Sequence, residues 1–251
     1  MRLNVTEMGE GPPVILLHGL FGAGRNWGGI QKRLALRHRV LAPDLRNHGE
    51  SDRAPAMDYA VMAEDVCEVI ARRGLAPATV LGHSMGGKVA MALALRHGAM
   101  VSRLVVADMA PVRYPPALRG YVAAMRALPL TPGLARRDAD AALEAAVPEA
   151  GIRAFLVQSL DFGGDVPVWK LGLAEIAAAM PTIEDFSVPG RYDGPVLVLN
   201  GERSSYIQPA HHALFRQLFP AARFATVGAA GHWLHADNPN AFLALVEPFL
   251  A

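Results

Sequence analysis

The chain contains one cysteine, no block of like charge and no long apolar run, and each of these absences excludes a class of protein. Cys67 has no second cysteine to pair with, so no internal disulfide can form, and its position in the helical pattern of residues 61–73 predicts a small core residue. The 24 Lys and Arg residues are scattered among 23 Asp and Glu residues, which argues against a nucleic-acid-binding surface. No stretch reaches the ~18 apolar residues of a membrane helix, so we predict no membrane span.

The N-terminal residues show no apolar run after a basic start, as a secretory leader would have, and we therefore expect a cytoplasmic protein. Of the 251 residues, 52% are hydrophobic and 19% are charged, which is typical of one soluble globular domain with a sizeable core. Composition alone gives no indication of the oligomeric state.

Short apolar runs alternate with longer amphipathic segments along most of the chain, which predicts an α/β fold. The expected architecture is a mostly parallel, doubly wound central sheet with helices on both faces. We predict strands at 14–17, 40–42, 79–81, 103–107, 196–199 and 223–227. Chemically distinctive residues follow these strands, at the sheet edge where function gathers in such folds: His18, Asp44, Ser84, Asp108, Asn200 and His232.

Residues 111–191 break this alternation. The segment holds helical, Ala-rich stretches interrupted by Pro and Gly, and it contains no convincing strand. We interpret it as a helical cap inserted into a single domain of residues 1–251, where it would cover the site and shape an acyl pocket. A pair of ordinary crossover helices with long loops is the alternative.

The most informative motif is Gly-x-Ser-x-Gly at residues 82–86, where a β-rich run ends and an Ala/Leu/Met helix begins. This context is that of a nucleophile elbow, which exposes a serine at the edge of a sheet. Gly82 and Gly86 would let the two backbones pass closely, and the helix N-terminus behind Ser84 would favour an oxyanion. Ser84 is therefore the predicted nucleophile.

The same residues also spell G-x-x-x-x-G-K from Gly82 to Lys88, which is close to a phosphate-binding loop. Val89 stands where such a loop needs a Ser or Thr hydroxyl for Mg²⁺, and the bulky His83 and Met85 do not suit a loop that wraps phosphates. We therefore reject a phosphate site at this turn and expect Lys88 to extend its amine to solvent.

A serine hydroxyl needs a base to accept its proton and a third group to orient that base. His232 is the predicted base, because it follows the last predicted strand within a run of small residues. The acid usually follows the strand at 196–199, but Ser204 stands where an Asp is expected. We predict Asp108, after the preceding strand, as the acid, with Glu202 as a less well-placed alternative. Ser204 should then hydrogen-bond near the His–Asp pair.

Two backbone N–H groups are predicted to form the oxyanion hole. One belongs to Met85, and the other belongs to Leu20 in the glycine-flanked loop after the first strong strand, with Phe21 as the alternate. His18 is expected to brace this loop rather than react. The residues Asp44, Arg46 and Ser51 are expected to hold their own loop together by hydrogen bonds and ion pairing.

Five motifs together make the chain resemble the α/β-hydrolases, and among them the esterases grouped with abhydrolase domain-containing protein 11 and its bacterial relatives. They lie at residues 17–22, 44–51, 82–88, 108–112 and 231–236. The Gly-x-Ser-x-Gly motif marks only the superfamily, and the Arg-Asn-His-Gly-x-Ser and Asp-Met-Ala-Pro runs indicate the smaller group of esterases within it. It implies an esterase that acts on acyl esters, sometimes on acyl thioesters, with no metal or organic cofactor. It also implies an acid after the earlier strand with a serine near position 204, as predicted above.

The functional prediction is a serine carboxylesterase that cleaves small-molecule acyl esters, with short to medium acyl chains, through a Ser-His-Asp triad and an acyl-enzyme. An acyl thioesterase, a C–C hydrolase or lyase that uses the same triad, and a non-catalytic binding module are the alternatives. Aromatic side chains could line an acyl pocket or belong to the core of the cap, and the candidates are Phe21, Phe155, Phe162, Trp169, Tyr206 and Trp233.

Overall fold

The computed structural model describes every residue from Met1 to Ala251. In chain order its strands are β1 (Val5–Met8), β2 (Pro13–Leu17), β3 (Arg39–Pro43), β4 (Ala78–His83), β5 (Val101–Ala107), β6 (Leu160–Asp161), β7 (Val168–Trp169), β8 (Val196–Gly201) and β9 (Ala222–Val227). Its α-helices are α1 (Gly28–Leu34), α2 (Tyr59–Arg72), α3 (Met85–Arg96), α4 (Arg119–Ala127), α5 (Arg136–Leu143), α6 (Ala150–Val157), α7 (Leu173–Ile183), α8 (His212–Leu218), α9 (Leu234–Asp237) and α10 (Pro239–Leu250).

Seven of these strands form one sheet in the order β1-β3-β2-β4-β5-β8-β9. All neighbours pair in parallel except β1, which runs antiparallel to β3. The predicted mostly parallel α/β sheet is thus confirmed, and the six strands predicted from apolar runs are its six parallel strands. The edge strand β1 was missed, because only Val5 of its four residues packs against the core and the other three are exposed.

The sheet is covered on both faces because its strands are apolar at consecutive positions. Ile15 and Val80 face a cluster that includes side chains of α2, α3 and α7, whereas Leu16 and Leu81 face a second cluster with α1 and α10. All four side chains are completely buried. This burial orders the strand ends, and the loops that follow β2, β4, β5, β8 and β9 meet at one edge of the sheet.

The 111–191 segment lies between β5 and β8 and contains α4, α5, α6 and α7. Residues of α4 to α6 and their flanking loops share a small apolar cluster that includes Leu128, Leu143 and Val157, whereas α7 packs against the main cluster. The expectation that this segment has no strand was wrong, since β6 and β7 pair as an antiparallel hairpin. Each of these strands is two residues long, which is too short to leave a periodic pattern in the sequence.

Two smaller observations complete the fold. Cys67 lies on α2, half-buried and packed against the main apolar cluster, so it contributes to the core without being enclosed by it. None of the helices has both the length and the apolar composition needed to cross a lipid bilayer.

Candidate active site

Ser84 occupies the turn between β4 and α3 with a backbone strained to φ 52° and ψ −122°. The glycines on either side make this turn possible. A Cβ added to Gly82 would lie 2.0 Å from the carbonyl oxygen of Gly86, and one added to Gly86 would lie 2.4 Å from the carbonyl oxygen of Leu17. No side chain fits at either position, so the strand and the helix approach closely enough to present Ser84 at the sheet edge.

The structure brings Ser84, His232 and Asp108 into one hydrogen-bonded chain. Oγ of Ser84 lies 3.0 Å from Nε2 of His232, and Nδ1 of His232 lies 2.7 Å from Oδ2 of Asp108. Because the carboxylate accepts a hydrogen bond from Nδ1–H, Nε2 is left as the acceptor for the serine hydroxyl. The arrangement is that of a nucleophile, its base and the group that orients the base.

Asp108 is completely buried and its carboxylate has further donors. The backbone N–H of Gly201 donates to Oδ1 over 3.1 Å, and the Ser204 hydroxyl donates to Oδ2. The alternative acid Glu202 does not contact His232. Its carboxylate instead accepts a hydrogen bond from the N–H of Ala229 in the turn after β9. Between the two carboxylates considered from sequence, only that of Asp108 meets the imidazole.

The candidate oxyanion donors differ in what they already bind. The N–H of Leu20 donates to no other group of the protein, and Met85 begins α3, where no intrahelical acceptor exists for its N–H. The N–H of the alternate, Phe21, donates to Nε2 of His48 over 3.2 Å. Of the three N–H groups considered from sequence, those of Leu20 and Met85 are therefore free and that of Phe21 is occupied.

The loops around these donors are fixed by buried polar side chains. In His18, Nδ1–H donates to the Gly19 carbonyl and Nε2 accepts from the N–H of Leu45, so both ring nitrogens are engaged. Burial lowers the pKa of His18, which keeps the imidazole neutral in this bracing role.

The neighbouring loop is held by Asp44, Arg46 and Ser51, as their residue types predicted. The Asp44 carboxylate accepts from the N–H groups of Gly24 and Glu50, and the Ser51 hydroxyl donates to the Asp44 carbonyl. The Arg46 guanidinium pairs with the buried Asp65 over 2.7 Å and also donates to backbone carbonyls.

Two neighbours of His232 are not evident from sequence. Nε2–H of His83 donates to the His232 carbonyl over 2.8 Å, and burial, together with the nearby His235 and His232, lowers the pKa of His83 well below its usual value. The Tyr206 ring stacks on the His232 imidazole with the ring centroids 3.9 Å apart and the planes 16° apart. His83 is the variable residue before the serine in Gly-x-Ser-x-Gly, so the motif carries no signal for its contact.

Two cavities open on either side of Ser84. One has a volume of about 400 Å³, and its walls include Tyr59, Lys88, Met109, Tyr114, Met180 and Ile183. The other has a volume of about 300 Å³, and its walls include Trp27, Tyr121, Ile152, Phe155, Leu156 and Trp233. Leu20, Leu118 and Tyr206 line both. A carbonyl held at Ser84 would thus have a mostly apolar space on each side.

Comparison with known proteins agrees with this geometry. The family model described as the alpha/beta hydrolase fold matches residues 12–147, which include the loop after β2, the turn at Ser84 and Asp108. The chain belongs to the α/β-hydrolase fold family.

Individual relatives of this α/β-hydrolase cover nearly the whole chain. It is 41% identical to the sn-1-specific diacylglycerol lipase ABHD11 of Mus musculus, over 96% of this chain and 81% of the relative. It is 33% identical to esterase YbfF of Escherichia coli (strain K12), over 100% and 99% of the two chains. A solved structure described as a marine microorganism esterase superposes with a TM-score of 0.94 at 33% identity, over 98% of each chain. The resemblance inferred from the motifs is confirmed.

The predicted pocket aromatics of this hydrolase divide into two groups. Phe21, Phe155, Tyr206 and Trp233 line the 300 Å³ cavity, and Tyr206 also lines the larger one. Phe162 and Trp169 line neither cavity. The Phe162 ring lies 4.7 Å from the Arg136 guanidinium, and both Phe162 and Trp169 pack against the apolar cluster of the 111–191 segment. Of the two alternatives considered for these aromatics, Phe162 and Trp169 follow the second, because their side chains pack within the segment itself.

The expectation that Lys88 extends its amine to solvent was wrong. Its side chain is 1% exposed, and its amine points to the C-terminal end of α7 instead of to solvent. Residues 183–185 of the chain fold back over α3 and enclose it, which no pattern near position 88 indicates.

Proposed function

We propose that this α/β-hydrolase is a serine carboxylesterase that cleaves acyl esters of small molecules. One observation carries the proposal: a serine hydroxyl, an imidazole and a buried carboxylate are hydrogen-bonded in series beside two backbone N–H groups that have no acceptor. This is the set of groups that acyl transfer requires. Relatives named esterase and diacylglycerol lipase support it.

In the acylation step, Nε2 of His232 takes the hydroxyl proton as Oγ of Ser84 attacks the ester carbonyl carbon. The carbonyl π electrons move to the oxygen, which becomes an oxyanion between the N–H groups of Leu20 and Met85. When the tetrahedral intermediate collapses, the bond to the alcohol oxygen breaks and His232 returns the proton to that oxygen. The acyl group is then esterified to Ser84.

In the deacylation step, a water molecule repeats the attack on the acyl-enzyme. His232 takes a proton from the water, the oxyanion forms between the same two donors, and Oγ of Ser84 leaves with the proton that His232 returns. Every charge and proton in this sequence is handled by named side chains and backbone groups, so the proposal needs no metal or organic cofactor.

The oxyanion donors and Asp108 act mainly in the transition state. Each preorganised N–H donor contributes on the order of 3 kcal/mol to barrier lowering in acyl transfer. Asp108 fixes the Nδ1–H tautomer of His232 and stabilises the imidazolium that forms, and its own position is held by Gly201 and Ser204. The stacked Tyr206 ring places its electron-rich face against the same imidazolium.

The substrate is bounded by the two cavities. Their mostly apolar walls suit an acyl chain on one side of the scissile bond and a compact apolar alcohol on the other. We propose that the 111–191 segment acts as a cap, because α4, α6 and α7 supply wall residues such as Tyr121, Phe155 and Met180. A cavity of about 400 Å³ suits short to medium acyl chains.

The test is hydrolysis of p-nitrophenyl esters from acetyl to palmitoyl, with acyl thioesters of the same chains beside them and Ser84→Ala as the control at each length. We expect serine-dependent turnover that is highest for short or medium acyl esters. A clear preference for the thioesters would make the protein an acyl thioesterase. An absence of serine-dependent turnover with every substrate would refute the esterase and favour a C–C hydrolase or lyase built on the same residues.

A further inference from the structure

Lys88 lies on α3, four residues after Ser84, and its amine is enclosed by the C-terminal end of α7. Nζ lies 3.5 Å from the carbonyl oxygen of Ile183, 3.1 Å from that of Glu184 and 3.0 Å from that of Asp185. The amine has three N–H donors when charged and two when neutral, and in either state these oxygens offer an acceptor for each donor. The hydrogen-bonding capacity of the group is therefore used within the protein.

The groups around the amine, helix-end carbonyls and two aromatic rings, interact favourably with a positive charge. The last carbonyls of a helix carry partial negative charge, which attracts a positive side chain. The rings of Tyr59 and Tyr114 lie 5.4 Å and 5.0 Å from Nζ, and both can interact with a cation through their faces. The neighbouring carboxylates have other partners, since Glu184 pairs with Arg119 and Asp185 pairs with Arg113.

Two other donors reach these carbonyl oxygens. The Tyr59 hydroxyl donates to the Ile183 oxygen over 2.5 Å, and the N–H of Tyr114 donates to the Glu184 oxygen over 2.9 Å. The Asp185 oxygen has Lys88 as its donor. Lys88 is the one donor among them that reaches all three oxygens, and it comes from the helix that carries the nucleophile.

The end of α7 matters for the site because Met180 and Ile183 line the 400 Å³ cavity that also reaches Ser84. We propose that Lys88 is a positioning residue that holds this α7 wall at a fixed distance from Ser84 and thereby determines which acyl chains reach the nucleophile. The proposal deepens the esterase function above and rests on it. Because its N–H donors are engaged by backbone, Lys88 acts through α7 and not by binding an anionic part of the substrate.

Replacing the amine with an apolar group would leave the Asp185 oxygen without its donor and remove one of the two donors at the Ile183 and Glu184 oxygens, which favours a local rearrangement. Met180 and Ile183 would move with it. Apolar pockets discriminate chains by single methylene groups, so a small displacement of this wall is enough to alter chain-length preference. Leu20, Met85 and His232 lie outside α7, so the oxyanion donors and the His232 hydrogen bonds would keep their geometry.

The experiment compares Lys88→Met, which keeps the side-chain length and removes the donors, with Lys32→Met, the same change on the exposed face of α1. The readout is kcat/KM for p-nitrophenyl esters from acetyl to decanoyl. In Lys88→Met the ratio of decanoyl to acetyl kcat/KM should change by about tenfold, mostly through KM, because wall position acts on the chain and not on the carbonyl. Lys32→Met should keep the wild-type ratio.

A second readout does not depend on turnover. Alkyl fluorophosphonates with ethyl to decyl chains modify an activated serine in a single step, and their rate constants for labelling Ser84 should show the same altered chain preference in Lys88→Met. If the wild-type protein labels at Ser84 but hydrolyses no ester, the proposed function fails while the Lys88 proposal is still decided by these rates. If the wild type hydrolyses esters and Lys88→Met keeps its chain preference in both assays, only the Lys88 proposal fails.

Two further variants separate the amine from general folding. Tyr59→Phe removes another donor to the Ile183 oxygen and should alter chain preference in the same direction but less. Lys88→Ala removes a fragment the size of propylammonium, and added propylammonium should restore the wild-type chain preference while 1-propanol should not. Equal loss of kcat at every chain length in the Lys88 variants, or equal rescue by amine and alcohol, would overturn the proposal.

Discussion

The Ser204 hydroxyl donates a hydrogen bond to Oδ2 of Asp108, the same oxygen that lies 2.7 Å from Nδ1 of His232. Ser204 thus stands on the loop after β8, where an acid was expected, and serves an acid that comes from the end of β5 instead. Its Oγ also accepts a hydrogen bond from the N–H of Tyr206, whose ring stacks on His232. One hydroxyl therefore contacts both the carboxylate that binds Nδ1 of His232 and the residue whose ring stacks on the imidazole.

Removal of this hydroxyl should weaken catalysis without abolishing it. In Ser204→Ala, Asp108 keeps the Gly201 N–H and the His232 contact but loses one donor, so we expect kcat to fall by about tenfold, the effect of one lost hydrogen bond to a charged group. Steady-state kinetics with p-nitrophenyl butyrate measure it. A kcat equal to that of the wild type would mean that the Asp108–Ser204 contact does not contribute to the reaction.

Asp108→Asn tests the acid itself. The amide keeps the shape of the side chain but favours the wrong tautomer of His232, so kcat should fall by about 10³ to 10⁴ while the melting temperature and far-UV spectrum stay close to wild type. The matched control is Glu202→Gln, which changes a carboxylate that contacts the turn after β9. A larger loss of kcat in Glu202→Gln than in Asp108→Asn would transfer the role of the acid to Glu202.

Substitution of two glycines by alanine, one at the elbow and one on α4, should change the free energy of unfolding in opposite directions. In Gly82→Ala the new Cβ meets backbone 2.0 Å away, so the free energy of unfolding should fall by about 3 kcal/mol or more. In Gly120→Ala nothing lies within 4 Å of the new methyl group on α4, and the variant should be more stable by about 0.5–1 kcal/mol. Urea unfolding measures both, and a tolerated Gly82→Ala would show that the close approach of β4 and α3 is not required.

Lys88 gives the protein a pH-dependent stability. Burial lowers the pKa of Lys88 to about 7, from an ordinary value near 10.5. Between these two values the unfolded chain holds a proton that the folded chain has released, so the unfolded state binds more protons and folded stability rises with pH. The charged and titratable groups that face the amine are Tyr59, Tyr114, Arg113, Glu184 and Asp185.

The check is a pair of urea titrations at several pH values between 7 and 10. All the groups that face Lys88 are present in Lys88→Met as well, so their own titration largely cancels when the wild type and the variant are compared. The free energy of unfolding of the wild type should increase relative to that of Lys88→Met as pH rises. A difference that stays constant or decreases over this range would contradict a buried amine that titrates near neutral pH.

The features of the fold and the site that depend on local sequence were predictable. The parallel strands were predictable because both faces of each strand are buried, which leaves unbroken apolar runs such as 14–17 and 196–199. Ser84, Asp108 and His232 were predictable as neighbours because parallel strands end at one edge of the sheet. Leu20 was preferred over Phe21 from the sequence, and the structure adds the physical reason, because the N–H of Phe21 is occupied by His48.

The parts that were missed depend on how distant segments fold back. The carbonyl acceptors of Lys88 lie 95 to 97 residues further along the chain, and the position of Phe162 and Trp169 depends on the packing of the 111–191 segment upon itself. An exposed Lys and a buried Lys look alike in sequence, because the flanking residues of α3 are apolar in either case. In a mainly helical segment the sequence does not show which residues pack against each other, so these contacts were not predictable.

The most direct test of the account is detection of the acyl-enzyme on Ser84. Rapid quenching of the protein with p-nitrophenyl butyrate, followed by proteolysis and mass spectrometry, should show a butyryl group on the peptide that contains Ser84 and none on that peptide from Ser84→Ala. The same Ser84→Ala protein should also lose nearly all hydrolysis. Hydrolysis at the wild-type rate by Ser84→Ala, or a butyryl group carried on a different residue during turnover, would contradict the assignment of Ser84 as the nucleophile.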